Sequence, residues 1–296
     1  MRLALYICYN KKMMRKKPLD GKVALVTGAS RGVGKGIALA LGEAGATVYI
    51  TGRTVKEGQN ARALPGTIHQ TATEVTERGG KGVAIPCDHR NDQDVEALFQ
   101  RIRAEQNRLD ILANNVWGSY EQYNDVTDFM KKTDFWTVPI SQWDAVFQAG
   151  VRAHYVASLL AAPIMIAQHS GLIVNISFMV AQRDDMGVTE SVGKAADDRM
   201  AACMAHELRE HGVAVVSLYP GGLVRTEWVM KTAKDWGDLT GSESPQFTGR
   251  AVAALAADPE IMIKTGKVLT VAELAPEYGF TDIDGKLPEP WPEEEA

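Results

Sequence analysis

The sequence predicts a single α/β domain in which helices cover both faces of one doubly wound parallel sheet of about seven strands. Three observations support this fold class. Short apolar runs alternate with helical stretches along most of the chain, as expected for βαβ units. A glycine-rich turn joins the first apolar run to the first helical stretch. The chain has 296 residues, of which 45% are hydrophobic, and it shows no internal repeat or linker, so one domain with a substantial core is expected.

The strands and helices are assigned from apolar runs and helical periodicity, in chain order. Apolar runs of four to six residues predict buried strands at 23–27, 47–51, 83–86, 110–114, 172–177, 214–218 and 267–270. Helices are predicted at 35–43, 92–105, 141–168, 192–211 and 248–257. Right-handed crossovers place ligands at the carboxyl ends of such strands. Segments 117–139 and 221–245 are predicted to be long active-site loops at this edge.

The two ends of the chain differ from its middle in composition. Residues 1–18 combine a short apolar run with a basic cluster and are predicted to be a flexible N-terminal extension, because the run is too short to cross a bilayer. No integral membrane segment is predicted. Residues 19–286 form the predicted domain, and 287–296, rich in Pro and Glu, form an extended tail.

Charge and cysteine usage exclude some classes of function. The net charge of −5 gives no overall attraction to nucleic acid, so no nucleic-acid partner is expected. Three widely spaced cysteines without a CxxC motif predict neither a disulfide framework nor a metal site. They favour a reducing compartment, and a cytoplasmic location is expected.

A glycine-rich turn between the first strand and the first helix predicts a nucleotide site. Glycines let the backbone turn tightly beside a pyrophosphate, and the helix N-terminus offers free N–H groups to the anion. The predicted contacts come from Gly28, Ser30, Arg31, Gly32, Val33 and Gly34. Their Gly-x-x-x-Gly-x-Gly spacing resembles the fingerprint of the short-chain dehydrogenase/reductase family, whose Rossmann-type fold matches the predicted sheet.

The residue after the second strand indicates which dinucleotide is bound. NAD sites place an acid there to bind the ribose 2′-hydroxyl, but this chain has Arg53. Arg53 can form charge-assisted bonds to a 2′-phosphate, and Arg31 lies on the same side in the family. The two arginines predict NADP(H) as the cofactor. The alternative is that both are solvated surface residues.

The family resemblance implies further cofactor contacts. In the family, an aspartate after the third strand contacts adenine, and an asparagine ties the central strand near the adenosine. A Pro-Gly turn is followed by a threonine that binds the nicotinamide carboxamide. The matching residues are Asp88 with its neighbour His89, Asn114, Pro220, Gly221 and Thr226. The resemblance covers about residues 20–285, and motifs at 135–139, 142–144, 205–209 and 265–269 point to one branch of the family.

The predicted catalytic site departs from the family pattern of Asn, Ser, Tyr and Lys. In the family, the lysine lowers the tyrosine pKa, the tyrosine transfers the proton and the serine holds the carbonyl oxygen. Lys194 is in place, but Glu190 stands at the tyrosine position. Phe178 stands at the serine position, beside Ser177, and Gly150 stands at the asparagine position.

Glu190 and Lys194 lie four residues apart on a predicted helix, so they are expected to face each other. Lys194 is expected to lower the pKa of Glu190 and keep it anionic at neutral pH. An anion cannot donate a proton to a ketone oxygen, so ordinary carbonyl reduction is expected to be poor. It could instead bind a cationic imine or iminium, with Phe178 adding a cation–π face.

Two alternatives stay open at this point. Weak or unconventional carbonyl or alkene reduction could use Ser177 or a loop tyrosine such as Tyr120 or Tyr123. A catalytically silent NADP(H)-binding protein, acting as sensor or scaffold, could have its pocket filled by an aromatic side chain such as Trp117 or Trp228. The resemblance also implies a homodimer or homotetramer built on the alanine-rich helices 141–168 and 192–211.

Overall fold

The computed structural model describes residues 17–60, 62–123, 133–184, 187–235 and 237–288. They contain a seven-stranded, all-parallel sheet in the order β3-β2-β1-β4-β5-β6-β7. The strands are β1 Val23–Val26, β2 Thr47–Gly52, β3 Lys81–Pro86, β4 Ile111–Asn114, β5 Gly171–Ile176, β6 Val213–Tyr219 and β7 Val268–Thr270. The predicted fold class and all seven predicted strands are confirmed.

Nine α-helices connect and flank these strands within the described ranges. They are α1 Gly32–Glu43, α2 Ile68–Glu77, α3 Asp92–Gln106, α4 Ile140–Val146, α5 Arg152–Gln168, α6 Val188–Leu208, α7 Glu227–Lys231, α8 Pro245–Ala257 and α9 Val271–Tyr278. A π-helical turn, Phe147–Val151, joins α4 to α5. Short 3-10 helices lie at Ser119–Gln122, Phe135–Thr137, Met179–Gln182, Arg209–His211, Ala233–Asp235 and Ile261–Ile263.

The helices bury two hydrophobic cores, one on each face of the sheet. On one face, Ile37 of α1, Val75 of α2 and Phe247 of α8 are among the buried residues. The other face buries Phe99 of α3 and Ala161 of α5 in the same way. The two cores make the sheet the middle layer of a three-layer domain, as the near-continuous apolar strands require.

Helices α1 and α8 cross closely enough that only glycine fits at their contact. A Cβ added at Gly36 would lie 2.0 Å from the carbonyl oxygen of Pro245, and one added at Gly249 would lie 2.3 Å from that of Gly36. Because these atoms belong to the backbone, a small side-chain shift could not relieve the overlap. This crossing fixes the orientation of α1, whose N-terminus follows the glycine-rich turn.

Three helices were not expected from the sequence, and one predicted helix is interrupted. Helix α2 is rich in threonine, whose branched side chain disfavours helix, and it depends on its Thr67 cap and on burial of Ile68 and Val75. Helix α9 carries an internal Pro276 but begins with a full capping box at Thr270. Helix α7 lies within the predicted loop 221–245. The predicted helix 141–168 contains the π-helical turn at its seventh residue.

The predicted ends of the chain fall largely outside the described residues, which include neither 1–16 nor 289–296. Lys17, which lies in the predicted extension, contacts the domain: its Nζ donates to the carbonyl oxygen of Arg78 at 3.0 Å. Leu19 is wholly buried, and its N–H donates to the carbonyl oxygen of Ala44 at 2.8 Å. The extension therefore joins the domain no later than Lys17.

One stretch in the described residues, Ile140–Gln168, is long and apolar enough to cross a membrane by length and composition alone. It spans α4, the π-helical turn and α5. Ala157, Ala161 and Met165 of α5 are wholly buried in the core beneath the sheet. Burial accounts for part of its apolar composition, since 44% of its apolar window is buried inside the structure.

Candidate active site

A cavity of about 380 Å³ opens at the carboxyl edge of the sheet. Its walls come from the segments that follow β1, β2, β3, β4, β5 and β6, together with α6 and α7. Most of the predicted site residues line it: Gly28, Ser30, Arg31, Gly32, Val33, Arg53, Asp88, His89, Ser177, Phe178, Lys194, Pro220 and Thr226. The topology therefore gathers these distant positions at one place.

Four predicted residues do not line the cavity: Gly34, Asn114, Glu190 and Gly221. Gly34 is a packing position, since a Cβ there would lie 2.5 Å from the carbonyl oxygen of Gly28. Asn114 is fully buried, and its Nδ2 donates at 2.9 Å to Ser158 and to Asn175. Gly221 donates its N–H to the carboxylate of Glu243 at 2.9 Å.

The glycine-rich turn brings the N-terminus of α1 to the cavity. Gly28 and Gly32 have φ angles of +67° and +59°, a left-handed conformation that glycine adopts without strain. The N–H of Gly32 donates to the Oε2 of Glu227 at 2.7 Å. The helix N-terminus thus binds an anion in this structure, and the anion is a carboxylate of the chain itself.

The arginines at the predicted 2′-phosphate site contact neighbouring loops. Arg53 forms an ion pair with Glu121, and both side chains are about half exposed. Arg31 donates to the carbonyl oxygens of Pro65 at 3.1 Å and Gly66 at 2.9 Å. Burial lowers the pKa of Arg31, opposed by the nearby carboxylate of Glu227.

Asp88 and His89, which follow β3 and Cys87, have different environments. Both carboxylate oxygens of Asp88 accept hydrogen bonds from the Arg90 guanidinium, which holds the pKa of Asp88 below its usual range. His89 is buried, and its Nε2 lies 2.8 Å from the hydroxyl of Thr51. Burial lowers the pKa of His89 to about 4, so the ring is neutral at physiological pH.

Lys194 reaches the cavity from α6 with most of its side chain buried. Its Nζ donates to the carbonyl oxygen of Ile176 at 2.9 Å and lies 3.4 Å from the centroid of the Trp117 ring. Burial lowers the pKa of Lys194, while Asp197 and then Glu190 oppose this shift. The ammonium group is thus held between a strand end and an aromatic face.

Glu190 lies behind Trp117, with only 9% of its surface exposed. The indole Nε1 of Trp117 donates to the Oε2 of Glu190 at 3.0 Å. Burial raises the pKa of Glu190, and it outweighs the opposing effects of the Trp117 hydrogen bond and of Lys194. Lys194 does lower this pKa, as predicted, but the prediction that the pKa of Glu190 lies below its usual value is wrong. Removing water from the Glu190 carboxylate destabilises its charged form more than the Lys194 ammonium stabilises it.

Trp117 fits a slot made by two glycines. A Cβ at Gly150 would lie 2.6 Å from the indole atoms Cε3 and Cζ3, and one at Gly193 would lie 3.3 Å from Cη2. The ring therefore takes the space above the position where the family pattern has asparagine. This pairing of Trp117 with Gly150 was missed from the sequence, although Gly150 was identified there as a departure from the family pattern.

Ser177 and Phe178, together with Lys194 and Trp117, form what we call the catalytic side of the cavity, because the predicted catalytic residues lie there. The hydroxyl of Ser177 is buried and donates to the carbonyl oxygen of Lys194 at 3.2 Å. Phe178 lines the cavity at the predicted serine position. Thr226 lies against the glycine-rich turn and caps α7, since its hydroxyl accepts from the N–H of Val229 at 3.3 Å.

Aromatic residues from the two predicted loops meet at the cavity mouth. The rings of Tyr120 and Trp228 have centroids 5.7 Å apart, and the Arg62 guanidinium lies 4.8 Å from the Trp228 ring centroid. Arg62 was not singled out from the sequence. Across the described ranges, no group of three or more His, Cys, Asp or Glu side chains is arranged to hold a metal ion.

Comparisons with known proteins agree with this geometry. The short chain dehydrogenase family model matches residues 22–236. The mouse protein called dehydrogenase/reductase SDR family member 1, the branch to which the sequence motifs point, is 43% identical over 282 residues, covering 91% of this chain and 85% of its own length.

Two solved structures share the fold. A short-chain dehydrogenase from Mycobacterium thermoresistibile has a TM-score of 0.77 at 24% identity and covers 92% of this chain and 95% of its own. A metagenomic short-chain oxidoreductase in complex with NADP has a TM-score of 0.65 at 26% identity, with 86% and 97% covered. The sheet order, the glycine-rich turn, Lys194 and these matches together show that the chain belongs to the short-chain dehydrogenase/reductase family.

Proposed function

We propose that this chain is an NADP(H)-dependent oxidoreductase that reduces a small-molecule substrate. The observation that carries the proposal is the convergence, in one cavity, of the glycine-rich turn, Arg31, Arg53 and Lys194. NADPH, when bound, supplies the hydride. A reduced carbonyl or alkene also takes up a proton, which the ammonium of Lys194 in the cavity wall would supply.

The residues present fit a phosphorylated dinucleotide. The N-terminus of α1 already attracts an anion, the carboxylate of Glu227, at the place proposed for the pyrophosphate. Arg53 and Arg31 line the cavity, and Gly52-Arg53-Thr54 leaves no acid after β2 to bind a ribose 2′-hydroxyl. We assign the 2′-phosphate to these arginines and the adenine to the region of Asp88 and His89.

The nicotinamide end is assigned to the opposite part of the cavity. Pro220, the Gly221 turn and Thr226 would hold the carboxamide, and Lys194 would contact the nicotinamide ribose. Gly221 acts from behind the cavity wall, through backbone geometry fixed by Glu243. Asn114 and Gly34 support the same site by packing and hydrogen bonding.

The catalytic side favours a neutral substrate over a cationic one. Glu190 is shielded from the cavity by Trp117, and its raised pKa opposes a fixed negative charge. Phe178, the predicted cation–π face, lines the cavity, but Glu190 does not. An imine or iminium could use Glu190 only after Trp117 leaves its slot, so we place carbonyl and alkene substrates first.

The second candidate is a catalytically silent NADP(H)-binding protein. Two observations favour it: Phe178 removes the hydroxyl that would hold a carbonyl oxygen, and Glu190 lies behind Trp117. The cavity itself argues for the enzyme, because it remains open beside Lys194 and Phe178.

The test is a binding titration followed by turnover. NADPH and NADH are titrated by fluorescence, and NADPH consumption is then followed with matched ketones, enones and cyclic iminium ions. We expect tighter binding of NADPH and turnover of ketones or enones, at least about 100-fold slower in Lys194→Met. Tight binding without turnover of any substrate would favour the silent protein, and failure to bind either dinucleotide would overturn both candidates.

We also propose that the chain forms a homodimer or homotetramer through α5 and α6, in a cytoplasmic setting. Tyr155 and Leu159 of α5 and Val188 and Val192 of α6 are about half exposed, although they are apolar. Light scattering should give twice or four times the chain mass, and Leu159→Glu should lower that mass. A monomeric wild-type chain would contradict this proposal.

A further inference from the structure

A buried histidine and aspartate lie directly beneath the candidate active site. His154 of α5 and Asp197 of α6 are both wholly buried, and the Nδ1 of His154 lies 2.9 Å from the Oδ1 of Asp197. Neither residue belongs to the family pattern used above. Buried charged groups carry a large desolvation cost, so their presence here calls for partners.

One partner of this pair is Lys194. The Oδ2 of Asp197 lies 3.8 Å from the Nζ of Lys194, and within the part of the chain that the structure describes this is the ion pair that Lys194 makes. Glu190 does not take the place of Asp197 as the ion-pair partner of Lys194. The Trp117 indole contacts both Glu190 and Lys194: its N–H donates to Glu190, and its ring face lies against the Lys194 ammonium.

The other partner is the backbone that carries Trp117. The Nε2 of His154 lies 2.9 Å from the carbonyl oxygen of Val116, the residue before Trp117. A carbonyl and a carboxylate can only accept, so the ring satisfies both contacts fully when both of its nitrogens carry a proton. The two carboxylate oxygens of Asp197 thus face different groups, Oδ1 the His154 ring and Oδ2 the Lys194 ammonium.

We infer that Asp197 and His154 form a buried positioning unit for Lys194. Asp197 is the counter-ion of the Lys194 ammonium, and His154 fixes both Asp197 and the Val116 backbone that presents Trp117 to Lys194. The unit thereby holds the lysine from below while the indole covers it from above. The catalytic consequence of this inference rests on the proposed function. The electrostatic effect of Asp197 on Lys194 does not.

The charged groups around Lys194 can be ranked by their effect on its pKa. On its own helix, Asp197 does most to oppose the burial-driven fall in the Lys194 pKa, followed by Glu190 and Asp198. Asp198 accepts hydrogen bonds from the hydroxyls of Ser217 and Tyr219. From α5 comes His154, while β5 contributes a carbonyl oxygen and the loop after β4 contributes the Trp117 ring.

The decisive measurement is the titration of Lys194 in the full chain without cofactor. Competitive labelling with acetic anhydride over a pH series, read by mass spectrometry of the peptide containing residue 194, reports how much of the amine is unprotonated. Asp197→Asn removes the counter-ion but keeps an oxygen that His154 can donate to. We expect the Lys194 titration to move down by about one pH unit or more.

Three further variants make the result specific. Asp197→Glu keeps the charge and should return the titration toward the wild-type position. His154→Gln supplies one donor atom where the ring has two, so it should shift the titration less than Asp197→Asn. Glu207→Gln, an exposed acid on the same helix, should leave the titration unchanged. Thermal unfolding of each variant confirms that it is folded.

An unchanged Lys194 titration in folded Asp197→Asn would overturn the inference. If that variant does not fold, His154→Gln decides, and an unchanged titration there would overturn the inference equally. The outcome is separable from the proposed function. A wild-type chain that binds neither NADPH nor NADH would defeat the proposed function while the labelling result still stands. If turnover is seen, its high-pH limb should move down in Asp197→Asn and stay in place in Glu207→Gln.

Discussion

The nucleotide side and the catalytic side of the cavity follow the family pattern to different degrees. On the nucleotide side, the glycine-rich turn and the segments after β2 and β3 keep the expected residue types in the expected places. On the catalytic side, the sequence predicts that three of four family positions differ, and the residues there contact one another: Glu190 accepts from Trp117, and Trp117 fills the slot beside Gly150. Lys194 is the family position that is kept.

This contrast favours the hypothesis that the residues of the catalytic side form one fitted set. Isolated loss of the tyrosine would leave a gap at its position. Here the Oε2 of the replacement acid accepts from Trp117, its Oε1 is buried without a hydrogen-bond partner among the described residues, and the indole ring packs against both Gly150 and Gly193. Such packing is costly to disturb, because interiors are close-packed and leave little room for adjustment.

Restoring the family residue at position 150 tests whether Trp117 and Gly150 form a fitted set. The Cβ that Gly150→Asn adds would lie 2.6 Å from two carbon atoms of the Trp117 indole ring. We expect a loss of about 1 to 3 kcal/mol in the free energy of unfolding, because overpacking forces the ring or the π-helical turn to move. Urea unfolding followed by tryptophan fluorescence measures this loss.

The matched control for that variant is the same change in a chain without the indole. Trp117→Ala should be destabilised by its own cavity, but adding Gly150→Asn to it should cost less than adding it to wild type. Equal costs in the two backgrounds would show that the slot does not constrain position 150. The catalytic side would then differ from the family by separate substitutions instead of a fitted set.

The sequence was informative where function depends on neighbouring residues. The glycine-rich turn could be placed because its residues, its strand and its helix are contiguous. The position of Arg53 followed from counting along β2. Trp117 and Gly150 lie on separate elements, so their contact could not be read from either motif.

The pKa of Glu190 illustrates the same limit. Its spacing from Lys194 was visible in the sequence, but its burial depends on Trp117. Helix α2 was missed for a related reason, since burial of Ile68 and Val75 stabilises a segment whose local preference is weak. Tertiary burial therefore determines both the pKa of Glu190 and the formation of α2. Sequence periodicity alone does not reveal that burial.

On the nucleotide side, Arg53→Asp tests the predicted contact with the 2′-phosphate. The new carboxylate would repel a 2′-phosphate and could accept from a 2′-hydroxyl, so NADPH affinity should fall by about tenfold or more relative to NADH. Dissociation constants for both dinucleotides measure the change. Arg101→Asp, an exposed arginine on α3, makes the same change in net charge and should leave the ratio unaltered. A loss shared equally by NADPH and NADH would remove Arg53 from the 2′-phosphate site.

The smallest expected effect concerns the carboxylate that the chain places at its own anion site. Glu227→Gln keeps an oxygen that can accept from the Gly32 N–H but removes the charge that competes with a pyrophosphate. A charge near a helix N-terminus contributes about 0.3 to 1 kcal/mol, so NADPH affinity should rise by about threefold. The gain should shrink at high salt, since screening weakens the competing charge. Glu277→Gln, a half-exposed acid paired with Lys264 away from the cavity, is the control and should show no gain. Unchanged or weaker NADPH binding in Glu227→Gln would place the pyrophosphate away from Gly32, and the nucleotide side would then depart from the family pattern as the catalytic side does.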